Sequence, residues 1–363
     1  MSLRRRDLER GLLRAERVIS LTERCRPLDA DEEYERVLSA WQRGHEVTPK
    51  LRHEPAQGLA ELRALLDGVA ERARNLGPWG ALYAARAEEL GIEAELAEHV
   101  GASDFRLRAA RRYPVEAGPD GERAARWARR WASFHAGPEL EASHPSDDDR
   151  DPLSLFSVMQ RAVGEARLPF RVLVRPGLLS AAATGDGVIL VRGAARYRAG
   201  EARRIVAHEI QGHALPRARA QVDALGLFSL GTARGSDDEE GRAVLIEQRI
   251  GALGRTRKAE LGRRHLAGLA VRQGASFIDV VRMLRQHGAE PEDAVLIALR
   301  VHRGGGLARE LVYLTAFSRV RCAFEADPDA ERWLERGRIS VASVPLLVAL
   351  GEAPEWMLAK RAA

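Results

Sequence analysis

His208, Glu209 and His213 stand together in the run Ile205-Val206-Ala207-His208-Glu209-Ile210-Gln211-Gly212-His213. Imidazole nitrogens are good zinc ligands, and a glutamate beside the first histidine is placed to act as base toward a metal-activated water. Metal-binding histidine pairs on a helix commonly sit four residues apart, on one face. Here the step is five, and on a regular α-helix five residues turn through ~500°, leaving the side chains ~140° apart. A π-type turn, closed i→i+5, brings the two positions back over each other, and Gly212 is where such a widening costs least in steric terms. The spacing therefore predicts a distorted helix with a metal at the distortion.

A catalytic zinc site needs a third ligand and an open position. The segment Ser236-Asp237-Asp238-Glu239-Glu240-Gly241-Arg242-Ala243-Val244-Leu245-Ile246-Glu247 offers candidates. Ser236 with Glu239 fits a capping box, so a helix is expected to begin here. Asp237, Asp238 and Glu239 complement the dipole of that helix, whereas Glu240 and Glu247 fall among apolar neighbours where a charge needs a reason. Seven residues apart, these two face the same way. Either is a possible third ligand, and the other a partner for a histidine N–H.

The elements that position these groups follow from periodicity. Apolar residues recur at three- and four-residue steps through most of the first 134 residues, with the clearest helices at 31–41, 59–74, 81–99 and 122–134. The stretch 137–152 holds Asp147, Asp148, Asp149 and Asp151 among prolines and serines and cannot bury a face. Beyond it, 170–175 and 187–192 read as strands, the second bordering the metal helix, where an extended peptide could pair with its edge. A helix follows Gly200, then others at about 237–253, 258–272, 276–287, 291–301, 307–324, 328–336 and 340–350. Phe277, Val280, Val281 and Leu284 have helical spacing and read as core. The fold expected is α+β and predominantly helical. It comprises a helical N-terminal domain over 1–140, an acidic linker over 137–152 and a metal-bearing domain with a small sheet over 153–363.

Composition narrows the class. The 363 residues are 45% hydrophobic and 30% charged, enough for a substantial core. A net charge of +5 invites a nucleic-acid reading, yet only Lys50, Lys258 and Lys360 are lysines, so the basic residues are almost all arginine spread along the chain. With no recognition motif and no aromatic-basic interleaving, no specific nucleic-acid partner is expected. Cys25 and Cys322 lie far apart without a CxxC pair and read as reduced thiols. Asp7 and Glu9 break any signal-peptide pattern, and the longest apolar run, 341–350, is about half a membrane span. A cytoplasmic protein with no membrane partner is the expectation; the oligomeric state is open.

His208-Glu209-Ile210-Gln211-Gly212-His213, followed some thirty residues on by Glu239-Glu240-Gly241-Arg242-Ala243, resembles the paired HExxxH and QEGLA motifs of the flavohemoglobin-expression-modulating QEGLA family. That family includes the eukaryotic microtubule-associated tyrosine carboxypeptidases. The resemblance extends to the approach 190–213, to Arg300-Val301-His302-Arg303-Gly304-Gly305 and to Leu311-Val312-Tyr313-Leu314. Departures are Gly212 in place of a usual threonine and Arg242 in place of a small apolar residue. The resemblance implies a zincin-like metallopeptidase domain with Zn2+ on His208, His213 and Glu240, and Glu209 as general base.

A carboxypeptidase must hold a terminal carboxylate, which a planar guanidinium can grip in a bidentate manner. Arg303 is the leading candidate, because the glycines that follow it would let backbone N–H groups approach an anion as well. Arg300 and His302 are runners-up. Tyr313 is placed either to stabilise an oxyanion or to make a buried structural bond. The substrate expected is a peptide or protein C-terminus. A non-hydrolytic metal-binding regulatory protein is the alternative.

Overall fold

The computed structural model describes residues 3–55, 58–135, 141–223 and 225–351. Seven helices come first: α1 (Leu3–Ile19), α2 (Leu21–Arg24), α3 (Ala30–Gln42), α4 (Leu59–Arg74), α5 (Pro78–Glu98), α6 (Phe105–Arg112) and α7 (Pro119–Ala132). Prolines open α5 and α7, where a missing N–H costs nothing. Part of the expected linker, 137–140, lies outside the described residues; the rest includes a short strand, β1 (Ser143–Pro145).

The small sheets follow. After α8 (Leu155–Glu165), β2 (Arg171–Arg175) pairs in parallel with β4 (Val188–Arg192), Val172 opposite Ile189, and β3 (Ala182–Thr184) pairs antiparallel on the other side of β4. A further strand, β5 (Arg196–Arg198), pairs with β1. Two strands were legible from β-branched runs; the short β1, β3 and β5 were not. The finding corrects the cleft edge: β4 is the central strand, paired on both sides, so the edge facing the metal helix belongs to β3.

The chain then enters α9 (Ala199–Ala207), a π-helical segment (His208–Ala214), α10 (Leu215–Val222), α11 (Gly226–Leu230) and α12 (Gly235–Arg249). It continues through α13 (Arg255–Arg272), α14 (Phe277–Gln286), α15 (Pro291–Gly306), α16 (Leu311–Ala326) and α17 (Ala330–Leu334). A 3-10 turn (Val341–Ser343) and α18 (Val344–Ala349) complete the described chain. The fold is predominantly helical α+β, as expected, and no helix among the described residues is long and apolar enough to cross a membrane.

Three apolar clusters set the site. The largest joins Leu12, Tyr83, Phe105 and Trp131 to Phe228, Phe317 and Trp333, so the early helices share a core with those after the metal segment. A second surrounds Phe277, Val280, Val281 and Leu284, the stripe read as core from its spacing. A third packs Ile205 and Ile210 against Ile189, Val191, Leu155 and Met159, pinning the metal helix to the sheet. Full burial of each such side chain is worth ~1.5–3 kcal/mol.

One ion cluster ties the first helix to the end of the chain. Glu16 accepts from Arg338 Nη2 and from Arg86 Nη2, each at 2.8 Å. Burial opposes the charge, but Arg338 and Arg86 outweigh it and lower the Glu16 pKa to about 2 from an ordinary 4.5. A carboxyl depressed in the fold stabilises it above the unfolded value and loses that contribution as pH falls toward the folded one. Glu16→Gln is therefore expected to destabilise the chain at pH 7, by about 3 kcal/mol at most. The gap between the two proteins' urea midpoints should close as pH falls from about 4.5 toward about 2; a gap independent of pH contradicts the ion-pair account.

Candidate metal centre

The expected widened turn is present: His208–Ala214 is π-helical, and the His208 and His213 ring centroids lie 5.1 Å apart. From the facing helix α12, Glu240 Oε2 lies 3.4 Å from His208 Nε2 and 3.8 Å from His213 Nε2. One donor atom from each of the three lies within 4.8 Å of the others, and all three residues are buried. Glu240 Oε2 has no hydrogen-bond partner. A buried, unpartnered carboxylate oxygen carries a penalty that a cation would remove. Ligands at ~2.0–2.1 Å around a tetrahedral Zn2+ stand about 3.3 Å apart, near the 3.4 and 3.8 Å between Glu240 Oε2 and the two imidazole nitrogens, so the residues fit a divalent cation of that kind.

His208 and Glu240 are hydrogen-bonded from behind, and His213 has a carboxylate nearby. His208 Nδ1 donates to Glu247 Oε1 at 2.8 Å, and Arg257 holds that carboxylate through Nε and Nη2, both at 2.8 Å. His213 Nδ1 lies 3.1 Å from Glu239 Oε2, which Arg217 Nη2 holds at 3.0 Å. Glu240 Oε1 accepts from Arg309 Nη2 at 2.9 Å. The bond from Nδ1 to Glu247 turns His208 Nε2 toward Glu240, which His213 Nε2 also faces. Glu247 is thus the brace and Glu240 the facing donor, two roles that spacing alone left interchangeable.

Charge favours a cation. Burial opposes ionisation of all three braced carboxyls, yet Arg309 with the two imidazoles holds Glu240 far below the usual range. Arg217 and His213 do so for Glu239, and Arg257 and His208 for Glu247. Burial disfavours the charged form of His208, but Glu240 and Glu247 push its pKa up to about 10. Glu247→Gln weakens the brace on His208 while leaving the three donors, and is expected to lower zinc affinity about 10–100-fold, read by competition with a chromophoric chelator. Unchanged affinity would deny Glu247 this role.

The helix α12 starts differently from expectation. Its N-cap is Arg234, in left-handed backbone with φ 63°, and Ser236 lies inside the first turn. Glu239, expected in a capping box, instead turns its carboxylate to Arg217 and His213. Asp237 pairs with Arg112 at 3.0 Å, and Asp238 pairs with Arg319 at 2.6 Å.

The three donors open on a cavity of about 570 Å³ that Glu209, Arg300, Arg303, Arg309 and Tyr313 also line. Glu16 and Arg17 of α1 contribute to its wall. Glu209 Oε2 accepts from Thr184 Oγ1 on β3 at 2.7 Å. Arg300 donates to Leu179 O at 3.0 Å and to Glu310 Oε1 at 3.2 Å. Arg303 Nη2 stands 3.7 Å from the same Glu310 oxygen, and its Nε has no hydrogen-bond partner. Tyr313 lies under Arg264, 4.1 Å from ring centroid to guanidinium, with its hydroxyl 3.5 Å from Arg309 Nη1.

His302 is not brought to the cavity. Its ring nitrogens face Ala298 O at 2.9 Å and Ala275 O at 3.3 Å, and it is not among the cavity-lining residues. Nor do the glycines after Arg303 cradle an anion. They adopt φ of 68°, 105° and 111° and press on Cys25 and Phe105, with Gly304 N–H donating to His53 Nε2 at 3.2 Å. Thr184, Arg217, Arg257 and Arg309 are the site residues that sequence reasoning missed.

Two imidazoles and a carboxylate around one point, with another carboxylate at the adjoining cavity, form a donor set suited to a divalent cation. The chain belongs to the microtubule-associated tyrosine carboxypeptidase family, whose model matches residues 41–356. Membership supports a carboxypeptidase-like function. No curated protein and no solved structure matches the chain significantly.

Proposed function

We propose that this chain is a zinc-dependent carboxypeptidase, its Zn2+ held by His208, His213 and Glu240, that removes a residue from a peptide or protein C-terminus. The observation that carries the reading is the unpartnered Glu240 oxygen facing two imidazole nitrogens beside a cavity that Glu209 lines. A bound Zn2+ supplies Lewis acidity toward the scissile carbonyl and lowers the pKa of water. Glu209, oriented by the Thr184 hydroxyl, accepts the proton of the attacking water and delivers it to the leaving amine. Arg303 or Arg300 anchors the terminal carboxylate, both being buried and cavity-lining. Tyr313 and Arg309 stand at the same wall to meet developing negative charge.

On this reading 153–363 is a zincin-like catalytic unit, and the protein is cytoplasmic. The helical part over 1–140 serves as a wall of its cleft. A C-terminally varied peptide library incubated with the parent chain and with Glu209→Gln, followed by mass spectrometry, tests the reading. Loss of single C-terminal residues by the parent alone is expected. Zinc bound with no cleavage by either protein would favour a regulatory metal protein instead.

A further inference from the structure

The π segment ends where its hydrogen bonding runs out of donors. Its last i→i+5 bond runs from Leu215 N–H to Ile210 O. The next N–H in line would be that of residue 216, which is proline and has none. Residue 216 would have served the Gln211 carbonyl in π register and the Gly212 carbonyl in α register, so Pro216 withdraws the donor from either continuation. A buried carbonyl left without a donor keeps its full desolvation penalty.

Both carbonyls are met from the facing helix. Arg242 of α12 donates Nη1 to Gln211 O at 3.1 Å and Nη2 to Gly212 O. Arg242 is buried, and among the described residues its side-chain hydrogen bonds go to these two carbonyls. The approach is possible because Gly212 has no side chain: a Cβ there would sit 2.6 Å from Ala243 Cβ. Both carbonyls lie in the one turn between Glu209 and His213, so what holds them holds the step between the two histidines.

We infer that Arg242 is a positioning residue for the metal centre: it replaces the donor that Pro216 withdraws and so fixes the widened turn in which His208 and His213 face Glu240. It acts from outside the donor set, on the backbone that presents it. The functional consequence rests on the metal-binding reading, whereas the backbone claim can be tested apart from it.

The test compares the parent, Arg242→Leu, Pro216→Ala and the double variant. Two quantities are read: amide hydrogen exchange of residues 208–215 in metal-free protein, and Zn2+ affinity by competition with a chromophoric chelator. Arg242→Leu is expected to speed exchange locally by about tenfold or more and to weaken zinc binding about 10–100-fold. Pro216→Ala alone should match the parent in both. In the double variant the new N–H at residue 216 should restore much of both losses. Arg242→Leu matching the parent, faster exchange spread over the whole chain, or a loss that Pro216→Ala does not relieve would each overturn the inference. If the parent binds no zinc, the metal reading fails by itself, and the exchange data still decide the role of Arg242.

Discussion

Glu209→Gln is expected to lower kcat by about 10²–10⁴-fold while zinc content and KM stay near those of the parent. The substitution keeps the side chain's shape, and the amide oxygen can still accept from the Thr184 hydroxyl, whose bond to Glu209 Oε2 is 2.7 Å. What disappears is the basic oxygen that takes and returns a proton. Glu209 is not one of the three facing donors, so the metal should remain. A fall in kcat with bound zinc intact marks a group used in the transition state, and a rise in KM alone would mark one used for binding. Steady-state kinetics on a C-terminally free peptide, with zinc measured in the same preparation, distinguishes the two. Retained turnover would remove Glu209 from its role.

The second large effect concerns the ion. His213→Ala and Glu240→Gln should each abolish stoichiometric zinc and, with it, activity. An ion that binds only the folded chain stabilises it by about 4 kcal/mol when free metal exceeds Kd a thousandfold. That metal-dependent gain in thermal stability should vanish in both variants, whereas Glu247→Gln should retain most of it. The contrast separates Glu240, which faces both Nε2 atoms, from Glu247, which stands behind His208. Equal loss from all three variants would mean that the acidic cluster acts as a whole. Zinc retained by Glu240→Gln would reopen the choice of third ligand.

Much of this centre is legible in the sequence. The five-residue step between His208 and His213 called for a distorted helix, a widened turn or a local break, and the widened turn is what forms. The long periodic helices and the two β-branched strands were visible because their patterns extend over whole elements. Strand β3 was not, since Ala-Ala-Thr carries neither alternation nor bulk; its role comes from pairing with β4 and from the Thr184 hydroxyl. The bracing arginines were hidden for a compositional reason. In a chain whose basic residues are almost all arginine, residue type does not mark Arg217, Arg257 or Arg309. Only the carboxylates they meet distinguish them.

The glycines after Arg303 show the opposite failure. A glycine run reads as an anion cradle when only the sequence is in view. Here positive φ breaks the helical path in the last turn of α15 and lets the chain close on Phe105 and Cys25, a packing requirement that no local pattern announces. His302 fell out similarly, because backbone carbonyls of Ala298 and Ala275 engage both its ring nitrogens.

The most direct test of a zinc-dependent carboxypeptidase uses two peptides of identical sequence, one with a free C-terminal carboxylate and one amidated. Each is incubated with the zinc-loaded chain and followed by mass spectrometry. The geometry predicts loss of one residue from the free acid and none from the amide, because the guanidiniums at the cavity wall need a carboxylate to grip. Cleavage of both peptides at an internal bond, or of neither, would contradict it.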